Sequence, residues 1–323
     1  MGFLSFLSSS KKTSNIVFTD NSIRFLELKQ TSPPLVQALG ERSLPDGIIK
    51  GGRILDEQTL SIILEECVEE WEIRGRSVRF VVPDPFVVLR TVKIPLDLKQ
   101  DEIEGYLFLE IGTSIHLPFE DPVFDYALLD EVAQERDVLL IASHQEVVDS
   151  YKDVLEVAKL KPVVADISPL ALYRLSVEQG IVSPQQHTMF LHFDERLLTI
   201  SIFREHKPIF TRPIVVEQEN KNVLVEDHLA WRNVEDAFSE IEKVMNFYQY
   251  SLHKGEFSVE KALISGDHPN IREIEVYLKE RLIIPVGFQN LSGIHTTDDE
   301  RVSNQYAIAL GLALKEVQYI ESH

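Results

Sequence analysis

At 323 residues the chain is long enough for two domains of ordinary size, and its 44% hydrophobic content can supply a core to each. A formal net charge of -20 repels nucleic acid and anionic lipid headgroups, so neither is expected as a direct partner. The single cysteine, Cys67, excludes an internal disulfide or a cysteine-rich zinc site and reads as a small buried hydrophobe in a reducing compartment.

Residues 1–13 read as a tail. Phe3, Leu4, Phe6 and Leu7 form too short an apolar run for a signal peptide, and the positive charge follows the run instead of preceding it. A short amphipathic segment that docks on a neighbour is the alternative. No stretch approaches the roughly 20 apolar residues of a membrane-spanning helix. The first structured unit is a hairpin. Ile16, Val17 and Phe18 lead into the turn formers Thr19, Asp20, Asn21 and Ser22, and Ile23, Phe25, Leu26 and Leu28 return. A strand over 35–44 follows, then the turn Leu44-Pro45-Asp46-Gly47. Asp56 is the expected N-cap of a helix carrying Leu60, Ile63, Leu64, Cys67, Val68 and Trp71, with Gly75 closing it. Residues 78–82 are a buried strand stopped by Pro83.

Residues 87–162 read as an α/β insertion in the order β-α-β-β-α-β. Its first helix spans 101–115 with Ile103, Leu107, Ile111 and Ile115 on one face. Ser143-His144-Gln145-Glu146 has the pattern of a capping box for its second helix. Ser168 then caps a helix with Pro169 at its first position and with Leu170, Tyr173, Leu175 and Val177 on its apolar side. A polar linker over 180–186 marks the major boundary. The second half repeats the opening: strands over 188–193 and 197–203 around Asp194-Glu195-Arg196, then a third strand over 209–214. An acidic excursion over 216–228 and a long helix over 233–252 follow. A strand over 262–264 ends in Ser265-Gly266-Asp267. A helix over 271–282, a strand over 283–288 and a terminal helix over 306–317 complete the chain. Gly311 inside the terminal helix costs about 1 kcal/mol against Ala and marks a close approach to a neighbour.

The expected fold is therefore α/β. Two hairpin-led halves with an insertion in the first resemble the actin-like (ribonuclease H-like) two-domain architecture. The local sequence is more specifically similar to the type IV pilus assembly protein PilM family, relatives of FtsA, from about residue 15 to 317. The resemblance rests on Leu44-Pro45-Asp46-Gly47-Ile48-Ile49, Val92-Lys93-Ile94-Pro95, Leu117-Pro118-Phe119, Phe124-Asp125-Tyr126 and Leu139-Leu140-Ile141-Ala142-Ser143 in the first half. Lys207-Pro208-Ile209-Phe210-Thr211-Arg212 and Ala309-Leu310-Gly311-Leu312-Ala313-Leu314 carry it in the second. It implies a first domain of 14–86 plus 163–183, with helix 304–319 packed back on it. The second domain would be 187–303, with a helical subdomain over about 217–258.

In actin-like ATPases two hairpin turns cradle the phosphates with backbone N–H groups, and nearby carboxylates hold Mg²⁺ through water. Here Val17 stands where the family has Asp, and Thr19 where it has Gly. In the second motif His192 replaces the Asp and Asp194 the Gly. Val215, Val216 and Glu217 stand where a Gly pair is expected, and Gly266 alone remains of the adenosine motif, followed by Asp267 and His268. A shift of one residue would place Asp20 at the metal. No cofactor is expected, ATP with Mg²⁺ being the alternative, and the scattered histidines have no metal-ligand spacing. The resemblance implies a non-catalytic, cytoplasmic adaptor of a type IV pilus, competence or related secretion machine. It would sit at the inner face of the membrane and hold the cytoplasmic tail of a PilN-like membrane protein. Candidate groove residues are Ile103, Leu107 and Phe119. A pilus motor ATPase and a second copy of the chain are further candidate partners. The competing readings are an active actin-like ATPase or sugar kinase and an FtsA-like polymerising protein.

Overall fold

The computed structural model describes residues 13–132, 135–216 and 226–315; the tail, the acidic excursion over 217–225 and the end of the expected terminal helix lie outside the described residues. The opening hairpin is β1 (Thr13–Phe18) and β2 (Ser22–Thr31), with Val17 opposite Arg24 and Phe18 opposite Ile23. β3 (Pro34–Ser43) pairs antiparallel with β2. A small ribbon, β4 (Ile49–Lys50) and β5 (Arg53–Ile54), leads to α1 (Glu57–Glu70). Asp56 caps that helix as expected, its carboxylate accepting from Thr59 N at 3.0 Å. Gly75 does not close it. Glu70 is the last helical residue and Trp71 its C-cap, Glu72 takes the left-handed backbone (φ 56°), and Gly75 instead donates its N–H to the Lys159 carbonyl.

β6 (Ser77–Val82) runs parallel to β1. The alternation of a strand sends Ile16, Phe18, Phe80 and Val82 to one face of the sheet, against α1, and Val17 and Val81 to the other. Burial on both faces is why these strands read as continuous apolar runs.

The insertion is smaller than its sequence suggests. β7 (Val87–Pro95), α2 (Ile103–Glu110), β8 (Pro122–Val132) and β9 (Glu135–His144) form a three-stranded antiparallel sheet, order β7-β9-β8, with one helix. Its core is Ile94, Ile103, Leu107, Ile115, Val138 and Leu140. The helix expected over 101–115 stops at Glu110, because a tight turn follows in which Gly112 (φ 88°) donates to Ile115 O at 2.9 Å. The next helix, α3 (Gln145–Val157), belongs to the first lobe. Val147, Tyr151, Val154 and Leu155 join the core of α1, so the inserted unit is 87–144 and not 87–162. The capping box over 143–146 does not form. Ser143 is held inside β9 between Val87 and Val123, out of reach of the helix, and Glu146 lies 3.8 Å from Arg53.

β10 (Lys161–Ile167) pairs with β6 and turns into α4 (Ser168–Glu178). Ser168 is the first helical residue, and its hydroxyl donates to Asp84 instead of capping the helix. Tyr173 and Leu175 of the expected stripe are buried, with Ala171 and Leu172 beside them, and Leu170 packs against the core; Val177 alone is exposed.

The second lobe contains β11 (Thr188–Phe193), β12 (Leu197–Arg204), β13 (Lys207–Val215), α5 (Glu226–Asn246), β14 (Lys261–Gly266), α6 (Ile271–Arg281) and β15 (Val286–Phe288). Its sheet order, β13-β12-β11-β14-β15, repeats β3-β2-β1-β6-β10 of the first lobe: a three-stranded meander, then two parallel strands. The strand expected over 283–288 shrinks to β15, Ile283 being fully exposed. The chain returns to the first lobe earlier than residue 304. β16 (His295–Thr296) pairs with the edge of β3, and α7 (Ala307–Ala313) packs on α4 and the hairpin. A Cβ on Gly311 would lie 2.0 Å from the Ala171 carbonyl oxygen, which is the close approach its sequence position marked.

Candidate functional site: the cleft between the hairpin tips

The duplicated topology brings the β1–β2 turn of one lobe to the β11–β12 turn of the other. Each turn closes on itself first. Thr19 N donates to Ser22 O and Asp194 N to Leu197 O, both at 2.9 Å, and the Thr19 hydroxyl accepts from Ser22 N at 3.0 Å. Asp20 points away from the second lobe. Its carboxylate accepts from Gly51 N at 2.7 Å and Gly52 N at 2.9 Å, tying the hairpin to the β4–β5 turn. Gly52 must be glycine: its φ is 75°, and a Cβ would lie 2.4 Å from Pro83.

Four contacts then cross the cleft. Asn21 Nδ2 donates to Glu195 Oε2 at 2.9 Å. Arg24, buried in β2, pairs with Asp267 at the end of β14 and with Glu41 Oε1 at 2.9 Å. Thr199 Oγ1 donates to Asp84 Oδ2 at 2.6 Å. Arg196 Nη2 lies 4.0 Å from Asp46. Asp84 is buried in the turn after β6 and also accepts from the Ser168 hydroxyl.

The charge states follow from burial and these partners. Burial opposes ionisation of Asp84 and raises its pKa, while the Ser168 and Thr199 hydroxyls pull the other way. His192 lies in β11 with Nδ1 at 3.0 Å from Ser265 Oγ and Nε2 at 3.2 Å from Asp194 Oδ1. Burial works against its charged ring, but Asp194, Asp84 and Asp267 outweigh burial and hold its pKa above the ordinary imidazole value. Burial would raise Asp194, yet His192 and Arg24 hold it below the usual carboxylate range. Asp267 is raised, chiefly by burial and further by Asp194, against the pull of Arg24.

Of the residues singled out from sequence, the fold gathers His192, Asp194, Gly266 and Asp267 around the cleft, while Asp20 is turned to the β4–β5 turn. Val17 is a core residue beside Leu26, and Thr19 serves its own turn. Gly266 is required by backbone geometry: at φ 119° a Cβ would lie 2.0 Å from Phe193 O on the paired strand. Sequence reading missed Arg24, Asp84 and Thr199. The available signals were an arginine inside the apolar run of β2 and an aspartate directly after a buried strand. Among the described residues no three His, Cys, Asp or Glu side chains are grouped to hold a metal ion.

A second candidate region is the seam between the inserted unit and the first lobe. Phe119 is half-buried there, its ring 4.3 Å from His144, which meets Phe86 edge-on at 6.1 Å. The Arg53 guanidinium lies over the Phe86 ring at 5.3 Å. Ile103 and Leu107 are not at the seam. Both are fully buried in the core of the inserted unit, because the inward face of α2 must cover its small sheet. The apolar residues α2 exposes are Phe108 and Leu109, at 67% and 72%.

Two lobes of one topology, meeting hairpin to hairpin and bridged by two helices that pack on each other, define a protein of the actin-like fold. The chain belongs to the type IV pilus assembly protein PilM family, whose model matches residues 16–218. It is similar to the solved PilM-PilN type IV pilus biogenesis complex at 21% identity and a TM-score of 0.78, covering 94% of this chain and 98% of that one. A protein of unknown function with an actin-like ATPase fold from Bacteroides thetaiotaomicron matches at 12% identity and a TM-score of 0.50, over 96% and 99% of the two chains. The cytoplasmic domain of EpsL, an inner membrane component of the type II secretion system of Vibrio cholerae, matches at 12% and 0.50, over 95% and 96%. No curated protein matches the sequence. Among the described residues no helix is long and apolar enough to cross a membrane.

Proposed function

We propose that this type IV pilus assembly protein is a non-catalytic adaptor whose lobes are held together by its own side chains. The observation that carries this reading is the set of contacts across the cleft. Asn21 and Glu195 join the two turn tips, and the buried Arg24 is spent on Asp267 and Glu41. A polyphosphate would meet Asp194, Glu195 and Asp267 at the second turn, and like charges in a desolvated cleft repel. Asp20, the carboxylate that a one-residue shift would offer to Mg²⁺, is engaged by two backbone amides.

In this reading the partner is the cytoplasmic tail of a PilN-like membrane protein, received at the seam beside Phe119, Phe86 and His144. The matched PilM-PilN complex and the half-buried aromatic cluster support it. A tail segment with an apolar anchor suits such a site. The protein would then be held at the inner face of the membrane through its partner. The machine would be a pilus, a competence pilus or a related secretion apparatus, with a motor ATPase or a second copy as further contacts.

Calorimetry of the full chain tests both halves of the proposal. The tail peptide of the adjacent membrane-protein gene should bind, and Phe119→Ala should weaken it about tenfold, the effect of one buried aromatic anchor. Mg-ATP should give no saturable heat. Tight ATP binding overturns the closed-cleft reading and favours the ATPase; absence of peptide binding overturns the partner.

A further inference from the structure

The cleft and the Phe119 seam meet in one short piece of chain. Asp84–Phe86 is a single tight turn between β6 and β7, and Pro83 and Pro85 flank its aspartate. Proline fixes φ, so this backbone has little slack to absorb a movement of either end. Phe86 N donates to Pro83 O at 3.0 Å and closes the turn. The buried Asp84 carboxylate belongs to the cleft, where it accepts from Ser168 of the first lobe and from Thr199 of the second, each at 2.6 Å. Two residues on, the Phe86 ring belongs to the seam, edge-on to His144 at 6.1 Å and beneath the Arg53 guanidinium at 5.3 Å. Val87 then begins β7, paired with Ser143 next to His144. β13 of the second lobe lies against both the turn and β7. The first lobe clamps the turn from its other side. Asp20 accepts from Gly52 N at 2.9 Å, and the Tyr151 hydroxyl donates to Gly52 O at 2.9 Å. Gly52 is pressed so close to the turn that a Cβ there would lie 2.4 Å from Pro83 and 3.5 Å from Phe86.

We propose that Asp84 is a positioning residue for the seam: with Thr199 bound to it, the turn presents Phe86 and His144 in the arrangement that receives the tail. Closure of the lobes and binding at the seam then favour one another, because coupling between two sites is reciprocal. This inference rests on the reading of the seam as the tail site. A buried carboxylate is costly unless its donors are in place, so loss of the Thr199 donor acts on the turn itself. Pro85 stands between Asp84 and Phe86, and a shift of the aspartate is passed on to the ring.

The test combines calorimetry of the full chain with the same tail peptide and the His144 ring signals in the NMR spectrum of the peptide-free chain. Thr199→Val should weaken the peptide about fivefold, the lower end of ordinary coupling between sites. It should also shift the His144 ring signals before any peptide is added. Thr199→Ser, which keeps the hydroxyl, should restore both. Tyr248→Phe controls for lost stability alone. It removes a buried hydrogen bond of the second lobe outside the cleft, between the Tyr248 hydroxyl and His187 Nδ1 at 2.7 Å, and should change neither readout. If the wild-type chain binds no peptide, the tail reading fails, and the His144 signals decide the relay by themselves. Unmoved His144 signals in Thr199→Val, wild-type peptide affinity in that variant, or an equal effect of Tyr248→Phe would each overturn the proposal.

Discussion

Asn21 donates its side-chain amide to the carboxylate of Glu195 at 2.9 Å, joining the tips of two hairpins that lie 174 positions apart in sequence. Each hairpin is the first element of its own lobe, so this bond measures how the halves close. It stands beside the Arg24–Asp267 pair, and both join the two lobes in this closed state. The stability of that state can therefore be read one contact at a time.

Replacing Arg24 with Ala leaves Glu41 and Asp267 facing one another with no counter-ion. Breaking one side of a largely buried pair costs about 3 kcal/mol. Urea unfolding should show that loss, and small-angle scattering should show a larger radius of gyration as the lobes part. An unchanged radius would mean that the remaining contacts suffice to hold the cleft.

Thr199→Val removes a donor to a buried carboxylate while preserving shape. The cost should be about 2 kcal/mol, the scale of a hydrogen bond to a charged group. Because Asp84 already has a raised pKa, the variant should push it higher still, measurable as a shift in the titration of its carboxyl carbon.

Stability should depend on pH through His192. Its folded pKa is raised above the ordinary 6.5, so its contribution is fully present below that value and is lost as pH rises through the folded value. Asp194 behaves oppositely: its folded pKa is lowered, so its contribution is present above the usual carboxylate range and is lost as pH falls through the lowered value. The groups facing His192 are Asp194, Ser265, Asp84 and Asp267. A stability profile should decline on the alkaline side of 6.5 and flatten there in His192→Asn.

Gly311→Ala places a methyl group where the Ala171 carbonyl oxygen lies 2.0 Å away. Backbone on both sides leaves no side chain to move aside, and the overpacking should cost about 3 kcal/mol. The melting temperature should fall, although alanine is the better helix former.

The sequence by itself determined the hairpins, the capped α1 and the family. Alternating or continuous apolar runs, Asp56 before a helical stripe and turn formers between strands are local signals, and local energetics decide them. It also marked Gly311 as a close approach to a neighbouring element, whereas the need for glycine at Gly266 comes from its pairing beside Phe193. Tertiary structure alone decided the rest. The 143–146 pattern has the chemistry of a cap, but β9 holds Ser143 in its ladder, and α3 joins the first lobe because its apolar face finds α1. Ile103 and Leu107 share one face of α2, and periodicity cannot say whether that face meets a partner or a sheet. Only the fold shows it covering β7 and β9, with Phe108 and Leu109 left outside. The cleft was the least legible part. Arg24, Asp84 and Thr199 come from three strand ends distant in sequence, and their meaning depends on which carboxylate or hydroxyl the closing of two lobes sets against them.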